Sequence, residues 1–345
     1  MSADEALTLM MAYAERTGLV GDAPNKRYLW TDAFAVCNFI ALDRAGLAGE
    51  LVDKVHRTLA RHRDDDGRSG WLSGFSGVEA ILHPTRAGLR IGKPRPERGP
   101  ADTLNESDEW DRDGQYFHYL TKWMMALSRY SYVAMRPEAL IWARELGAIA
   151  QLKFTAGPRM VWKMSIDLSR PLVPSMGQHD PVDGAITLLE VDAITTRTRG
   201  PRTPPLDDAT RVLYQMIGTT QLATTDPMGI GALLHDAYRA STVDAGRELV
   251  PTLLSAATAG LDAYANSTAL AEPPERRLAF RELYLAIGLS AIERLGHDLG
   301  RYLAVRDNIV AFWRYMPHRE QPSWTAHQDI NDVMLATALY SDGVL

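Results

Sequence analysis

The chain has 345 residues, of which 46% are hydrophobic and 23% charged, and these proportions are typical of a globular protein rather than a collagenous or disordered one. The net charge of −6 is spread without long runs of one sign, which argues against a nucleic-acid-binding surface. The single cysteine, Cys37, excludes an intramolecular disulfide and a metal site made of several thiolates.

The N-terminal residues lack the basic head and long apolar core of a secretory signal. No uninterrupted apolar stretch reaches the roughly 18 residues needed to span a bilayer. We therefore expect a cytoplasmic protein with no membrane partner.

Two kinds of helical pattern alternate along the chain. Runs such as 33–42 and 283–292 are apolar on most faces, as expected of helices surrounded by protein, whereas runs such as 48–63 have one apolar stripe and a wet face. We predict outer helices over 3–17, 48–63, 137–154, 206–222, 244–266 and 296–314. We predict inner helices over 31–44, 114–131, 181–195, 228–239, 276–293 and 329–340.

Strand-like segments are short, and residues 159–165 and 88–91 predict small β-hairpins. The long irregular stretches 64–112 and 155–180 both precede inner helices, so we expect them at the same end of the molecule, where long loops usually carry function. The pattern predicts an all-α fold of twelve helices, or six helical hairpins, in a single domain over 1–345.

The starts of the inner helices are rich in aspartate, histidine and tryptophan. If the six inner helices stand side by side, these side chains gather at one mouth. The residues concerned are Trp30, Asp32, Trp110, Asp111, Asp113, Gln115, Gln178, His179, Asp180, Asp183, Asp226, Glu275, Arg276, Arg277, Trp324, His327 and Asp329.

Twelve alternating helices with acidic and aromatic residues at the inner N-termini resemble the (α/α)6 toroid of the six-hairpin glycosidase-like superfamily. The resemblance covers essentially the whole chain as an architecture and implies an (α/α)6 barrel with small β-hairpins in the mouth loops. In that superfamily sugars bind in the central funnel, and acid-base residues project from the inner-helix ends. No signature of one glycosidase family is matched, and the same toroid serves epimerases, lyases and terpene cyclases.

Hydrolysis of a glycoside needs one carboxylic acid to protonate the leaving oxygen and a second carboxylate to activate water or attack. We predict Asp113 and Asp180 as this pair, with Asp32 assisting and Asp111 and His179 as further candidates. The structural alternative is that these aspartates cap helices. In that interpretation Asp113 precedes Gly114, and Asp180 with Pro181 begins a helix that Asp183 completes as a capping box.

Tryptophan faces stack on the apolar faces of sugar rings, and the alternative for each is packing at the rim of the barrel. Several tryptophans at one predicted end favour a binding funnel, with histidines 118 and 179 as likelier participants than His327. The predicted substrate-binding residues are Trp30, Trp110, Gln115, Tyr116, His118, Trp162, Gln178, Asp183, Trp324, His327, Arg90 and Lys93.

The loop 86–98 is basic and restricted by proline and glycine. Its arginines are either solvated or form a cationic lid over the mouth, in which case Arg90 and Lys93 would bind a negative group of the substrate.

No HExxH motif, spaced thiolates, complete EF-hand loop or phosphate-cradling glycine loop occurs, so we predict no metal and no cofactor. Residues 64–66 resemble half a calcium loop, but the glutamate required at its twelfth place is Phe75, which predicts a solvated turn.

The leading hypothesis is a glycoside hydrolase that acts on a small sugar or sugar-like substrate, neutral or anionic. A second is an isomerase, epimerase, lyase or cyclase that uses His118, His179 or His327 to move a proton in the same pocket. A third is a ligand-binding toroid without catalysis, which would be favoured if every aspartate caps a helix.

Overall fold

The computed structural model describes residues 2–173, 175, 177–218, 221–298 and 300–345. Most of this part of the chain is α-helical. Its α-helices are α1 Ser2–Arg16, α2 Leu29–Ala41, α3 Ala45–Leu59, α4 Gly77–Leu82, α5 Glu106–Glu109, α6 Phe117–Val133, α7 Glu138–Phe154, α8 Asp180–Thr198, α9 Asp207–Ile217, α10 Pro227–Ser241, α11 Val250–Ala265, α12 Ala279–Leu295, α13 Leu303–Arg314, α14 Met316–Arg319, α15 Pro322–Thr325 and α16 Gln328–Leu339.

Five short strands form two small antiparallel sheets within these residues. They are β1 Gln115–Tyr116, β2 Thr155–Ala156, β3 Arg159–Met160, β4 Lys163–Met164 and β5 Pro171–Val173. One sheet has the order β1-β4-β5, and the other pairs β2 with β3. The strand character predicted for 159–165 is confirmed, with β3 paired to β2 and β4 paired to β1 and β5.

All twelve predicted helices are confirmed, with shifted ends. The helix expected over 244–266 starts instead at Val250, because a 3-10 helix over Asp244–Leu249 precedes it and a proline stands in its first turn. The helix expected over 296–314 starts at Leu303, since Gly296 has a left-handed φ of 70° and ends α12. Residues 219 and 220 of the helix expected over 206–222 lie outside the described residues.

The strand predicted over 88–91 is wrong. The backbone groups of this segment bond to three different parts of the chain rather than to one partner strand. Arg90 donates its backbone N–H to the Leu59 carbonyl, while Ile91 donates to Gly114 and accepts from Leu29. These bonds hold the segment as an irregular chain.

The contacts of the chain cluster into two units. The first unit comprises Met1–Ala23, Asn38–Asp43 and Gln221–Leu345, and the second comprises Pro24–Cys37 and Arg44–Thr220. Helix α2 contributes its early residues to the second unit and its last residues to the first. A single domain over 1–345 stays a prediction.

In the first unit α12 packs against α10, α13 and α16, while α16 also packs against α1 and α10 against α11. The closest helix pair is α10 with α12. A Cβ atom added to Gly231 would lie 2.4 Å from the Tyr284 carbonyl oxygen, and one added to Gly288 would lie 2.5 Å from the Gly231 carbonyl oxygen. Glycine at both positions therefore allows two backbones to touch.

In the second unit α6 packs against α3, α7 and α8, and α8 also packs against α9. Helix α6 buries most of its residues, as the apolar pattern on most of its faces predicts. By contrast α3 buries one stripe that includes Leu51, Val55 and Leu59. The small sheets and the starts of α6 and α8 lie together in this unit, and they provide most of the predicted site residues.

None of the described helices combines the length and the apolar character required to cross a bilayer.

Candidate functional site

Aromatic rings from four segments of the second unit surround the first turn of α6. The ring of Tyr116 lies 5.0 Å from that of Trp162 and 5.2 Å from that of Tyr119. His118 lies 4.7 Å from Tyr119, whose hydroxyl is hydrogen-bonded to that of Tyr28 at 2.5 Å. With Trp110, which lies 5.0 Å from Trp162, these residues form what we call the aromatic cluster.

The pairing of β1 with β4 brings the cluster together, because it places Tyr116 opposite Lys163 and so beside Trp162. The Lys163 ammonium is fully buried and donates to the backbone carbonyls of Glu109 and Arg112, at 2.7 and 2.8 Å, and to the Glu109 carboxylate at 2.9 Å. Burial lowers the pKa of Lys163. This ion pair ties the segment that carries Trp110 to the strand that follows Trp162.

The cluster is partly open to solvent. Tyr116 is buried, and burial raises the pKa of its hydroxyl. Tyr28, His118 and Trp162 are half-buried, while Trp110 is 50% exposed. Rings with one packed face and one wet face are suited to stacking on an apolar face of a ligand.

Asp180, the first residue of α8, lies beside this cluster. Its side chain is 5% exposed, and no hydrogen bond to either carboxylate oxygen is found among the described residues. Burial, followed by the charge of Asp183, raises the pKa of Asp180 to about 7. Near neutral pH a large fraction of this carboxyl group therefore keeps its proton.

The capping interpretation of Asp180 is wrong. No side-chain hydrogen bond caps the start of α8. The Asp183 carboxylate instead accepts from the buried Lys122 ammonium at 2.8 Å and from the Thr121 hydroxyl, so it does not complete a capping box. Gly177 has no side chain, and this leaves room for the Asp180 carboxyl group. A Cβ atom at position 177 would lie 2.3 Å from Oδ2 of Asp180.

The ring of His118 lies near Asp180, with Nδ1 4.0 Å from Oδ1. That distance is too long for a hydrogen bond. Desolvation lowers the pKa of His118 to about 4, so the ring is neutral at pH 7. A neutral imidazole in this place can donate or accept a hydrogen bond but is a weak base.

Asp113 is fully buried and has cations on one oxygen and backbone donors on the other. Its Oδ2 accepts from Arg90 at 2.5 Å and from Arg63 at 3.2 Å, and its Oδ1 accepts from the Gly92 backbone N–H at 3.0 Å. It caps no helix, since α6 starts at Phe117. The predicted catalytic role gains no support from these contacts, because groups of the protein itself occupy both carboxylate oxygens.

Arg90 is likewise engaged within the protein. Besides Asp113, its Nε donates to the Arg61 carbonyl at 2.6 Å and its Nη2 to the Thr58 carbonyl at 2.8 Å. Each side-chain nitrogen therefore has a protein acceptor, which does not fit the predicted lid. Lys93 is half-buried, and its ammonium lies 5.2 Å from the ring centroid of Tyr28, so it borders the aromatic cluster.

Asp32 and Trp30 lie in the interior of the second unit. Asp32 accepts from the Tyr28 backbone N–H at 3.0 Å and pairs with Arg27 at 3.4 Å. Trp30 is buried and packs at 4.6 Å from Phe34. A buried indole exposes no face to a sugar, so the predicted binding role of Trp30 is not supported.

The remaining predicted residues of the second unit differ in exposure. Asp111 and Gln178 are exposed, and His179 is half-buried just before Asp180. Gln115 is fully buried; its Oε1 accepts from the Leu89 backbone N–H at 2.8 Å, and its amide donates to the Ile166 carbonyl at 2.7 Å. Gln115 therefore supports the loops.

Trp324 and His327 belong to the first unit. Trp324 is buried, with its ring 5.7 Å from that of Trp313. His327 immediately precedes α16, and its ring lies 5.8 Å from that of Phe280. The buried Trp324 has no face available for a ligand.

Sequence reasoning missed Tyr28, Tyr119 and Lys122. A lysine inside the apolar run 116–127 was a usable signal, because a charge on such a helix requires a buried partner. Tyr28 gave no local signal, since only the tertiary contact with Tyr119 places it in the cluster. Among the described residues no group of three or more His, Cys, Asp or Glu side chains is arranged to hold a metal ion.

No family model matches the chain, and no curated protein matches it in sequence. Among solved structures, a GH76 alpha-mannanase from Bacteroides thetaiotaomicron is similar, with a TM-score of 0.59 and 11% sequence identity, over 99% of this chain and 95% of that one. At this identity the likeness concerns the fold alone. It confirms the predicted fold class: the chain has an all-α, (α/α)6 fold with small β-hairpins.

Proposed function

We propose that the protein is a glycoside hydrolase in which Asp180 is the general acid. One observation carries this proposal: Asp180 is a buried carboxyl group without a hydrogen-bond partner among the described residues, and its pKa is raised to about 7, next to half-exposed aromatic rings. A proton donor for a leaving oxygen needs a pKa near the working pH. The rings of the aromatic cluster would hold the sugar beside it.

Asp111 is the best candidate for the second carboxylate. Of the other candidates, Asp32, Asp113 and Asp183 each have a cationic partner within 4 Å. Asp111 is exposed and follows Trp110 in the chain, and no hydrogen bond or ion pair of its side chain is found in the described part of the protein. A solvated carboxylate at the edge of the cluster would activate water or attack the sugar.

The aromatic surface favours a sugar substrate with an exposed apolar ring face. The structural neighbour is named an alpha-mannanase, so α-mannosides are the first compounds to test. No step of this mechanism requires a cofactor.

The two alternative functions receive less support. Isomerisation by His118 requires a base, but a pKa of about 4 makes this imidazole a weak one at pH 7. A ligand-binding toroid without catalysis would be favoured if every aspartate capped a helix. Asp180 makes no such bond.

The test is turnover of a panel of aryl α- and β-glycosides and short oligosaccharides, with α-mannosides first, across pH 4 to 9. We expect hydrolysis of at least one compound, and we expect kcat/KM to fall as the pH rises through about 7, because Asp180 must be protonated to act. If no compound on the panel is cleaved, or if activity increases steadily above pH 7, the assignment of Asp180 as general acid is wrong.

A second prediction concerns Trp110. Its side chain is 50% exposed, so we expect Trp110→Ala to weaken binding of a cleaved glycoside by about tenfold while the unfolding free energy changes by less than about 1 kcal/mol. Tyr132→Ala is the matched control, because Tyr132 is 55% exposed at the opposite end of α6. Calorimetric titration and thermal unfolding of both variants would measure the effects, and equal binding losses would exclude stacking on Trp110.

A further inference from the structure

The second unit contains a cavity of about 620 Å³ whose wall is rich in arginine. The α3 helix end, the following turn and the segment near Arg90 form the wall. The lining residues are Asn25, Arg57, Thr58, Arg61, His62, Arg63, Asp64, Asp66, Arg68, Ser69, Gly70 and Arg90. Five arginines therefore line one concavity.

Three of these arginines have carboxylate partners. Arg63 pairs with Asp65 and Asp113, and Arg90 also pairs with Asp113. Arg68 pairs with Asp66, Glu97 and Asp167. Their side chains are held in place, and their charges are largely balanced.

Arg57 and Arg61 differ from the other three. Both are exposed, and neither has an ion pair among the described residues. The Arg61 guanidinium lies 5.6 Å from the ring of Trp71, which limits its conformations. Arg57 lies in the last turn of α3 and Arg61 just beyond the end of that helix. Like charges repel each other, so folding alone gives no reason for this pair to share a wall.

The end of α3 would normally repel an anion through its free carbonyl oxygens. Here Arg90 donates to two of them, the carbonyls of Thr58 and Leu59, and also to the carbonyl of Arg61 beyond the helix. The buried Nδ1 of His62 has no hydrogen-bond partner within the described residues, and it lies 3.7 Å from Oδ2 of Asp66. Two carboxylates also face the cavity: Asp66, which Arg68 neutralises, and Asp64, which is exposed.

We propose that this cavity binds an oxyanion, a phosphate or sulfate group, through Arg57 and Arg61, with His62 as an additional polar contact. Planar guanidinium groups match the geometry of these anions through paired hydrogen bonds. The anion is either free or carried on a sugar. The cavity residues are distinct from Asp180 and the aromatic cluster, so the site does not depend on the proposed hydrolase activity.

The test is calorimetric titration of the full chain with inorganic phosphate, sulfate, a hexose 6-phosphate and the same hexose without phosphate. We expect the wild-type protein to bind the anions with an affinity that weakens as salt rises, and not the neutral hexose in this cavity. Stronger binding of the hexose phosphate than of inorganic phosphate identifies a phosphorylated sugar. Equal binding identifies a free oxyanion.

The decisive variant is Arg57→Gln with Arg61→Gln, in which we expect the affinity to fall by about tenfold or more. Arg159→Gln is the control, because Arg159 is an exposed arginine on β3 in the same unit and does not line the cavity. Thermal unfolding verifies that both variants are folded. The proposal is wrong if the wild-type protein binds none of the anions at about 10 mM, or if the double variant binds them as the control does.

Discussion

Asp180→Asn is expected to reduce kcat on a cleaved glycoside by at least about a hundredfold, because asparagine cannot donate the proton that the leaving oxygen needs. The same change should leave the protein at least as stable as the wild type above pH 7. A carboxyl with a pKa raised to about 7 binds its proton more tightly when folded than when unfolded. It therefore reduces stability as the pH rises from about 4 to 7, and asparagine removes that cost.

Asp207→Asn provides the control. Asp207 is also the first residue of a helix, α9, but it is exposed. Steady-state kinetics and chemical denaturation at pH 5 and pH 8 would separate the two roles of Asp180. Unchanged turnover in Asp180→Asn would remove it from catalysis, and lower stability at pH 8 would contradict the raised pKa.

Asp113→Asn is expected to lower the free energy of unfolding by about 3–5 kcal/mol, because it leaves the buried Arg90 guanidinium without its counter-charge. The change affects the Arg63 guanidinium less, since Asp65 remains as its second carboxylate partner. Urea denaturation followed by circular dichroism measures the change. Any loss of turnover should follow the loss of folded protein.

Asp65→Asn is the matched control for this prediction. It removes an exposed partner of Arg63, and exposed ion pairs contribute about 0–1 kcal/mol. If Asp113→Asn were as stable as the control and yet inactive, Asp113 would have the catalytic role that the sequence alone predicts for it.

The helices could be predicted from the sequence because the apolar residues follow a helical period, on a single stripe in α3 and on most faces in α6. The position of Asp180 could also be predicted, since a carboxylate at the head of an apolar helix must be either paired or functional. The different surroundings of Asp113 and Asp180 could not be predicted. Both precede inner helices, and only the tertiary contacts of Arg63 and Arg90 with Asp113 distinguish them.

The contacts of Arg90 give no support to its predicted role, for the same reason. In sequence it is one of several cations in a basic loop, and nothing local indicates that it turns inward to the carbonyls at the end of α3. Trp30 and Trp324 were placed by residue type at a binding mouth, whereas packing against Phe34 and Trp313 buries both. Residue type alone does not show which indole rings the fold buries.

The buried Lys163 ammonium has a consequence for recognition. It joins the segment of Glu109 and Arg112 to β4, so the indoles of Trp110 and Trp162, which come from separate stretches of chain, are held against each other. The loss of conformational entropy that aligns the two rings therefore occurs when the protein folds, not when a ligand binds. Ligand capture on this pair should therefore resemble docking to a preorganised surface, with little rearrangement of the backbone between the free and bound states.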